Sequence, residues 1–190
     1  MSSVRVSREQ AEANREKILE VAGTLFRERG FDGTAVDDIM RRAGLTHGNF
    51  YGHFGSKDDL AAETCVRVMA GDGWAERITG TPNPSFGAVI RAYLSPRHRD
   101  APGRGCLLAA VGSDVARQPR PVRRAFTEGF RSRVAALERL LPGRSASARR
   151  EKALAAMAGL VGALMVSRAV DDANLSDQIL KAAAATFGRP

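Results

Sequence analysis

The segment around residue 50 concentrates side chains that can hydrogen-bond to another molecule. It contains His47, Gly48 and Asn49, followed by Tyr51 and His53. An asparagine amide can bond two atoms on the edge of adenine at once, and a histidine can bond guanine acceptors. Tyrosine and histidine also bond phosphate oxygens, and glycine lets a backbone approach closely. Held against a nucleic acid, these residue types can contact its bases and phosphates. Simple exposure to solvent is the alternative for His47 and Asn49.

Such contacts require short helices that hold the side chains in place. Apolar residues spaced three and four apart predict a first helix over Arg8–Arg29, ended by Gly30. Thr34 is the expected N-cap of a second helix, with Asp37 completing a variant of the capping box. Gly44 is expected to end this second helix.

A third and a fourth helix are expected to follow closely. Thr46 is the expected cap of the third, over 47–54, and Ser56 with Asp59 caps the fourth, which Lys57 opens. Two helices joined by a short glycine turn are typical of a helix-turn-helix, whose second helix puts its N-terminal residues against base edges. Lys57 would lie at a helix N-terminus, which attracts phosphate. An ordinary pair of packed helices has the same spacing and is the structural alternative.

The remaining chain is also predicted to be helical, so the fold class is all-α. No run of β-branched and aromatic residues alternates with period two, and residues that favour helix dominate. We divide the chain into an N-terminal three-helix domain over 1–56, which holds the helix-turn-helix, and a C-terminal helical domain over 57–190. After the helix that begins at Lys57, helices are expected over 86–94, 106–117, 121–141, 146–170 and 175–187, with a loop over 96–105.

The positive net charge favours a polyanionic partner, but the charge is unevenly distributed along the chain. The chain carries +8, yet residues 1–60 carry −1 and residues 61–190 carry +9. Within the predicted helix-turn-helix, Arg41, Arg42 and Lys57 form a local positive group, with no acid between Ile39 and Lys57. A protein that binds DNA without sequence preference would need positive charge spread over its contact face, and this class stays as an alternative.

Other classes are disfavoured by what the sequence lacks. It has no spacing typical of a nucleophile and base, a phosphate loop, a dinucleotide fingerprint or a metal site, so we expect no enzyme, cofactor or metal. The longest apolar run, Ala153–Val166, has 14 residues, fewer than the roughly 20 of a membrane span. The first residues lack a signal-peptide core, no strongly basic amphipathic helix suits a membrane surface, and the two cysteines are far apart. We therefore expect a cytoplasmic protein without a membrane partner.

The segment from Glu16 to Leu60 resembles the DNA-binding domain of TetR-family transcriptional regulators. The matching residues are Thr34, Ala43-Gly44, Tyr51, Phe54 and Ser56-Lys57. The resemblance implies a homodimer that binds a palindromic operator and usually represses. It also implies phosphate contacts from Thr34, Tyr51 and Lys57 and base contacts from His47 to Asn49. Two departures are His47, where many members have lysine, and His53, where many have tyrosine.

Members of this family also bind a small molecule in the C-terminal domain, which moves the DNA-reading heads. The resemblance thus implies an effector of unknown identity and a pocket in residues 57–190. We hypothesise that some aromatic residues line it, with plain core packing as the alternative for each. The candidates are Trp74, Phe86, Tyr93, Phe126 and Phe130, together with Cys106.

Cys106 suggests an alternative mode of control. It follows Gly105 at a predicted helix N-terminus, close to Arg104, and both features favour a reactive thiolate. Some relatives with a similar Gly-Cys-Leu-Leu segment are thought to sense oxidants or electrophiles. A thiol-sensing repressor is therefore the second functional hypothesis, and a buried structural cysteine is its alternative.

A stripe of small residues predicts where two chains meet. Small side chains four positions apart let helices approach closely, and the resemblance implies a four-helix bundle across a two-fold axis. A helix that packs only within its own chain is the alternative. The expected dimer contacts are Ala155, Gly159, Leu160, Ala163, Ile179 and Ala183.

Overall fold

The computed structural model describes residues 8–70, 73–143 and 145–189, and within these ranges the protein is helical and has no strand. The predicted all-α class is confirmed. Two 3₁₀ helices accompany ten α-helices. The α-helices are α1 (Arg8–Arg29), α2 (Val36–Arg42), α3 (Lys57–Met69), α4 (Trp74–Thr79), α5 (Phe86–Tyr93), α6 (Pro96–Arg99), α7 (Leu107–Val115), α8 (Arg120–Leu140), α9 (Ala146–Ala169) and α10 (Ala173–Phe187). The 3₁₀ helices span His47–Gly52 and Pro102–Arg104.

Helix α1 ends as its sequence predicts. Gly30 follows it in the left-handed region, with φ +74°, where a side chain would be strained. The chain then turns back, so the Phe31 ring lies 4.9 Å from the Phe26 ring, edge to face. Both rings are buried. This aromatic contact fixes the direction in which the chain leaves α1 toward α2.

The predicted role of Thr34 as an N-cap is wrong. Ala35 occupies the N-cap position of α2 and makes no side-chain cap bond. Thr34 is fully buried, and its hydroxyl donates to the carbonyls of Gly30 (2.8 Å) and Leu25 (3.4 Å) at the end of α1. The Gly30 carbonyl lies beyond the last residue of α1, so the helix ladder offers it no partner and the threonine hydroxyl satisfies it instead. Its hydroxyl is thus not exposed to a phosphate in this structure.

The turn after α2 is a Schellman motif. Gly44 has φ +68°, its N–H donates to the Arg41 carbonyl (3.0 Å), and the Leu45 N–H donates to the Met40 carbonyl (2.9 Å). Leu45 packs against the apolar core to which Met40 belongs. The motif reverses the chain and places the next element against α2.

The third helix differs from its prediction over 47–54. It is a 3₁₀ helix over His47–Gly52, and Thr46 precedes it without a side-chain cap bond. Only six residues make up this helix, and two of them, Gly48 and Gly52, are glycines. Such short segments favour the tighter 3₁₀ winding.

Helix α3 joins the two halves of the protein. Ser56 caps it as predicted: the Ser56 hydroxyl accepts from the Asp59 N–H (3.0 Å) and donates to the Asp59 carboxylate (2.8 Å). The helix then packs against α1 on one side and most extensively against α8 on the other. Gly129 on α8 permits this close approach, because a Cβ there would collide with Met69.

The segment over 96–105 is more ordered than the predicted loop. It holds α6 and the second 3₁₀ helix, and Ser95 caps α6 by accepting from the His98 N–H (3.2 Å). Arginines from distant helices bind its carbonyls: Arg27 of α1 donates to Gly103 (2.7 Å), and Arg168 of α9 donates to His98 (2.8 Å). These long-range bonds hold a segment that local sequence signals leave undefined.

Helix α9 is, among the described residues, the one helix long and apolar enough to cross a membrane by length and composition. One face packs into the core through Ala153, Met157, Leu160 and Leu164. A core helix of a protein that never enters a membrane passes the same test, so this helix is weak grounds for a membrane span. Its other face is apolar and exposed.

Candidate nucleic-acid interface and ligand cavity

The 3₁₀ helix presents polar groups outward on a buried aromatic base. Gly48 and Asn49 are exposed, and Tyr51 is 66% exposed. Phe50 is buried beneath them and stacks on Phe54, with ring centroids 5.8 Å apart. The buried rings therefore fix the direction of the exposed side chains, as a DNA-reading element requires.

His47 is held by a carboxylate of the preceding helix. Its Nδ1 contacts the Asp37 carboxylate, and its ring lies 5.8 Å from the Tyr51 ring. This contact orders His47 on the exposed face, but it also places a negative charge beside it. His53 is half-buried, with its ring 6.4 Å from Phe54. The histidines thus differ in what they can offer a ligand.

The positive group predicted around Arg41 is partly neutralised. Arg41 pairs with Asp38, and Arg42 pairs with Glu28 of α1 at 3.2 Å. Lys57, half-buried at the start of α3, has no ion pair with a described residue. Sequence reasoning missed Lys17 of α1, whose ammonium lies beside the Gly44 turn. Fold proximity brings Lys17 to this face, so no local motif could have identified it.

A cavity of about 270 Å³ lies where α1, α3, α4, α7 and α8 meet. Trp74 and Cys106, both predicted pocket residues, line it. The other predicted pocket residues are not part of its lining: Phe86 and Tyr93 are buried in the core, and Phe126 and Phe130 pack against the core elsewhere. For these four, core packing is the role that the structure supports.

Sequence reasoning also missed the most polar part of this cavity. Arg27, Arg77, Arg104 and Arg133 line it, and no acidic residue does. Arg27 comes from α1, so the predicted helix-turn-helix domain contributes to the cavity wall. These arginines come together from four elements far apart in sequence, and no spacing pattern connects them.

A larger open groove of about 800 Å³ runs between α1, α3 and the start of α8. None of the predicted pocket residues lines it. Four arginines and three glutamates line it, and two ion pairs form among them, Arg15 with Glu63 and Arg67 with Glu16 (2.8 Å). The smaller cavity, with its excess of cations, is therefore the better candidate for a specific ligand.

A hydrogen-bond chain connects His98 to Cys106. The His98 Nδ1 lies 2.7 Å from the Tyr93 carbonyl, and the Cys106 N–H donates to Nε2 (3.0 Å). Since Nε2 accepts, the imidazole is neutral with its proton on Nδ1. The Tyr93 hydroxyl is buried without a hydrogen-bond partner among the described residues. Burial and the neighbouring Cys106 side chain raise the pKa of Tyr93 well above its ordinary value.

The buried His98 predicts a pH-dependent stability. Burial lowers the pKa of His98, the bond to the Tyr93 carbonyl opposes this shift, and Arg168 reinforces it. The unfolded chain thus binds a proton that the folded chain does not. Stability is expected to fall as pH drops below the unfolded pKa of about 6.5, by at most about 1.4 kcal/mol per pH unit. Urea denaturation at several pH values should show this slope in the wild type and a smaller one in His98→Asn. Parallel profiles would contradict the assignment.

The predicted dimer residues divide into three groups. Leu160 is fully buried in its own core, so a partner chain cannot reach it, and that prediction is wrong. Gly159 faces Phe187 of the same chain, because a Cβ there would collide with that ring. Ala163, Ile179 and Ala183 are half-buried, and Ala155 is exposed. The contact of Gly159 with Phe187 explains part of the small-residue pattern.

The exposed apolar face of α9 and α10 lies beside those positions. Its large side chains are 40–43% exposed, and small residues such as Ala158 and Gly162 separate them. The large residues are Leu154, Met165, Val166 and Leu175.

Comparison with known proteins matches the N-terminal part of the chain to a family. Residues 18–64 match the family described as bacterial regulatory proteins, tetR family. Over 59 residues, 31% of the chain, the protein is 39% identical to the HTH-type transcriptional regulator AcrR of Shigella flexneri. Over 54 residues, 28% of the chain, it is 41% identical to the HTH-type transcriptional repressor KstR2 of Mycobacterium tuberculosis. The match spans only 27% of the length of either relative.

Solved structures extend the likeness in fold to almost the whole chain. The reduced form of NemR from E. coli aligns with a TM-score of 0.73 at 21% identity, covering 92% of this chain and 95% of NemR. A TetR-family regulator from Agrobacterium tumefaciens aligns with a TM-score of 0.70 at 23% identity, covering 93% and 98%. These identities establish the shared fold. Residues 18–64 match the tetR family of bacterial regulatory proteins, and the rest of the chain shares its fold with solved structures such as that of the regulator from Agrobacterium tumefaciens.

Proposed function

We propose that the protein is a DNA-binding transcriptional repressor that acts as a homodimer on a palindromic operator and is released by a small molecule. The observation that carries this proposal is the exposed Asn49 and Tyr51, which the buried Phe50 and Phe54 hold in place. Asn49 reads base edges, with Gly48 allowing close approach. Tyr51 and Lys57 bind phosphates. His47 takes part through Nε2, because its Nδ1 contacts the Asp37 carboxylate.

The route from ligand to DNA begins at Arg27. This residue lines the cavity from α1 and holds the Gly103 carbonyl of the 3₁₀ turn at 2.7 Å. Val68 and Met69 of α3 line the same cavity, and α3 starts at Lys57 on the DNA-facing side. A ligand that shifts either helix changes the spacing between two heads. Half-sites lie about 34–36 Å apart, so a modest movement breaks the register.

In this proposal residues 57–190 form the ligand-binding and dimerisation domain, and the exposed face of α9 and α10 forms the interface. Exposed apolar side chains in one patch are typical of an interaction surface. Met165→Glu places a charge at that surface. We expect this variant to sediment as a monomer at micromolar concentration and the wild type to sediment as a dimer. Asp171→Asn, exposed just after α9, is the control and should leave the dimer intact. A monomeric wild type in sedimentation velocity would rule out this interface.

The experiment that tests operator binding is selection of binding sites from random DNA. We expect one palindrome, bound far more tightly than competitor DNA in a gel shift, typically by about 10³-fold or more. Recovery of no common sequence, with equal affinity for all DNA, would instead support nonspecific binding. Release of the operator fragment by cell extract fractions would then identify effector-containing material.

A thiol-sensing repressor is the second candidate, favoured by the surroundings of Cys106. Its side chain lines the cavity, and the guanidinium groups of Arg27, Arg133 and Arg168 are close enough to interact with it electrostatically. The similar structure of NemR is that of a reduced form, which is consistent with redox chemistry in a related fold.

Alkylation separates the two cysteines. Burial raises the pKa of Cys65 to about 12, so its thiolate is scarce at neutral pH, whereas Cys106 is only half-buried. Iodoacetamide is expected to modify Cys106 alone in the native protein and both cysteines after denaturation, as read by mass spectrometry. Cys106→Ser should remove native labelling. If modified protein keeps full operator affinity, the sensing hypothesis is rejected.

A further inference from the structure

Arg133 is a buried cation without an anionic partner. Its residue is 5% exposed, and it forms no ion pair or hydrogen bond with a described residue. Its guanidinium carbon lies 5.4 Å from the centroid of the Trp74 ring, a cation–π contact. The remaining exposed surface opens into the cavity, because Arg133 is one of the lining residues.

A buried guanidinium is energetically unfavourable unless an anion pairs with it. Burial of an ion removes its hydration, and buried charges in proteins are paired as a rule. Burial lowers the pKa of Arg133, and Arg77 acts in the same direction, but a guanidinium stays protonated at neutral pH. The Trp74 ring offsets only part of this penalty. The site therefore holds a positive charge that the chain itself does not neutralise.

The other lining residues define the rest of the site. Arg27 and Arg104 add positive charge, while Val68, Met69 and Leu107 are apolar. A volume of about 270 Å³ lies just below the roughly 300–1,000 Å³ of pockets for drug-sized ligands. The occupant must therefore be short, with a negative group at one end and a compact apolar body.

We propose that this cavity binds a small organic carboxylate, whose carboxylate group pairs with the Arg133 guanidinium and whose apolar body contacts Met69 and Leu107. An arginine suits this role because its planar fork donates two parallel hydrogen bonds to a carboxylate. The inference rests on the proposed function only in taking this cavity as the effector site; binding itself needs no DNA. An inorganic oxyanion would also pair with the guanidinium, but it would make no apolar contact with Met69 and Leu107.

Trp74 makes the binding measurable, since it is the single tryptophan of the chain and lies in the cavity wall. Benzoate serves as the probe, benzamide as its neutral counterpart and inorganic phosphate as the simple oxyanion, at constant ionic strength. We expect a saturable change in Trp74 fluorescence and a rise in Tm with benzoate, at least tenfold weaker with benzamide. Equal responses to benzoate and benzamide, or none, would overturn the proposal. A response to phosphate matching that to benzoate would also overturn it in favour of a general oxyanion site.

A matched pair of variants tests whether Arg133 is the cation that binds the carboxylate. Arg133→Met keeps an unbranched side chain and removes the cation, and Arg123→Met removes the same charge from an exposed position of α8. Benzoate binding should fall at least tenfold in Arg133→Met and stay within twofold in Arg123→Met. The Tm without ligand shows whether each variant is folded; removing an unpaired buried charge should leave the Tm of Arg133→Met equal or higher. Unchanged benzoate binding in a folded Arg133→Met would refute the assignment.

A separate DNA measurement distinguishes the carboxylate site from the regulatory function. If benzoate binds through Arg133 but no operator can be selected, the carboxylate site stands and the regulatory function fails. If an operator is selected but benzoate fails to bind, the regulatory function stands and the carboxylate inference fails.

Discussion

Replacing Phe50 with alanine is expected to lower the free energy of unfolding by about 3–5 kcal/mol, the range for deleting a buried aromatic ring. Phe50 is 1% exposed, stacks on Phe54 at 5.8 Å and meets the Tyr51 ring at 5.2 Å. The 3₁₀ helix has only six residues and little stability of its own, so this ring supplies most of its anchorage. Urea denaturation followed by far-ultraviolet circular dichroism measures the decrease.

Tyr51→Ala is the matched control for Phe50→Ala. Tyr51 is adjacent in sequence but 66% exposed, so its removal should change the free energy of unfolding by no more than about 0.5 kcal/mol. Under the proposed function, it should still weaken DNA binding, because the hydroxyl that bonds a phosphate is removed. Comparable decreases in stability for the two variants would mean that the aromatic base does not anchor this helix.

Asn49→Ala should have the largest effect on recognition of a selected operator. A bidentate contact between a side chain and a base is worth about 1–3 kcal/mol, and a dimer makes two such contacts, so operator affinity should fall by about 2–6 kcal/mol. Asn49 is exposed and forms no side-chain hydrogen bond with a described residue, so stability should be retained. Fluorescence anisotropy with the selected operator and with random DNA measures both affinities; the second should stay nearly constant.

Lys57→Ala is the comparison that separates phosphate binding from base reading. It should weaken binding to operator and random DNA alike, and reduce the salt dependence of log K by about one for each phosphate that the lysine no longer neutralises. If Asn49→Ala weakens both kinds of DNA equally, Asn49 does not read bases. The element that determines sequence would then lie elsewhere on the exposed face.

Local signals in the sequence predicted those parts of the fold that neighbouring residues determine. The end of α1 at Gly30, the packing of Phe31 on Phe26 and the Ser56–Asp59 cap all follow from residues within five positions of one another. Helix propensity and apolar spacing likewise predicted the all-α class. These features need no knowledge of what the helices pack against.

The errors arose where a distant element decides the role of a residue. Thr34 resembles an N-cap, but its hydroxyl donates to the Gly30 carbonyl just beyond α1. Leu160 and Gly159 resemble interface residues. However, Leu160 is buried in the core of its own chain, and Gly159 packs against Phe187 of the same chain. The positive stretch around Arg41 resembles a free DNA-facing surface, but acids outside that stretch pair with two of its cations. The arginines of the cavity belong to separate helices, so only the fold brings them together.

Under the proposed function, the position of Arg27 bears on any attempt to adapt this protein as a biosensor. Its side chain is part of the cavity wall, and its backbone belongs to the first helix of the proposed DNA-reading head. A library that changes this position to accept a new inducer will therefore also change the basal output of the circuit. Selection for a new response would have to be paired with counter-selection for a silent uninduced state. Leu108 also lines the cavity but lies on α7, outside the head. Changing such a position is expected to alter ligand binding with less effect on the uninduced state.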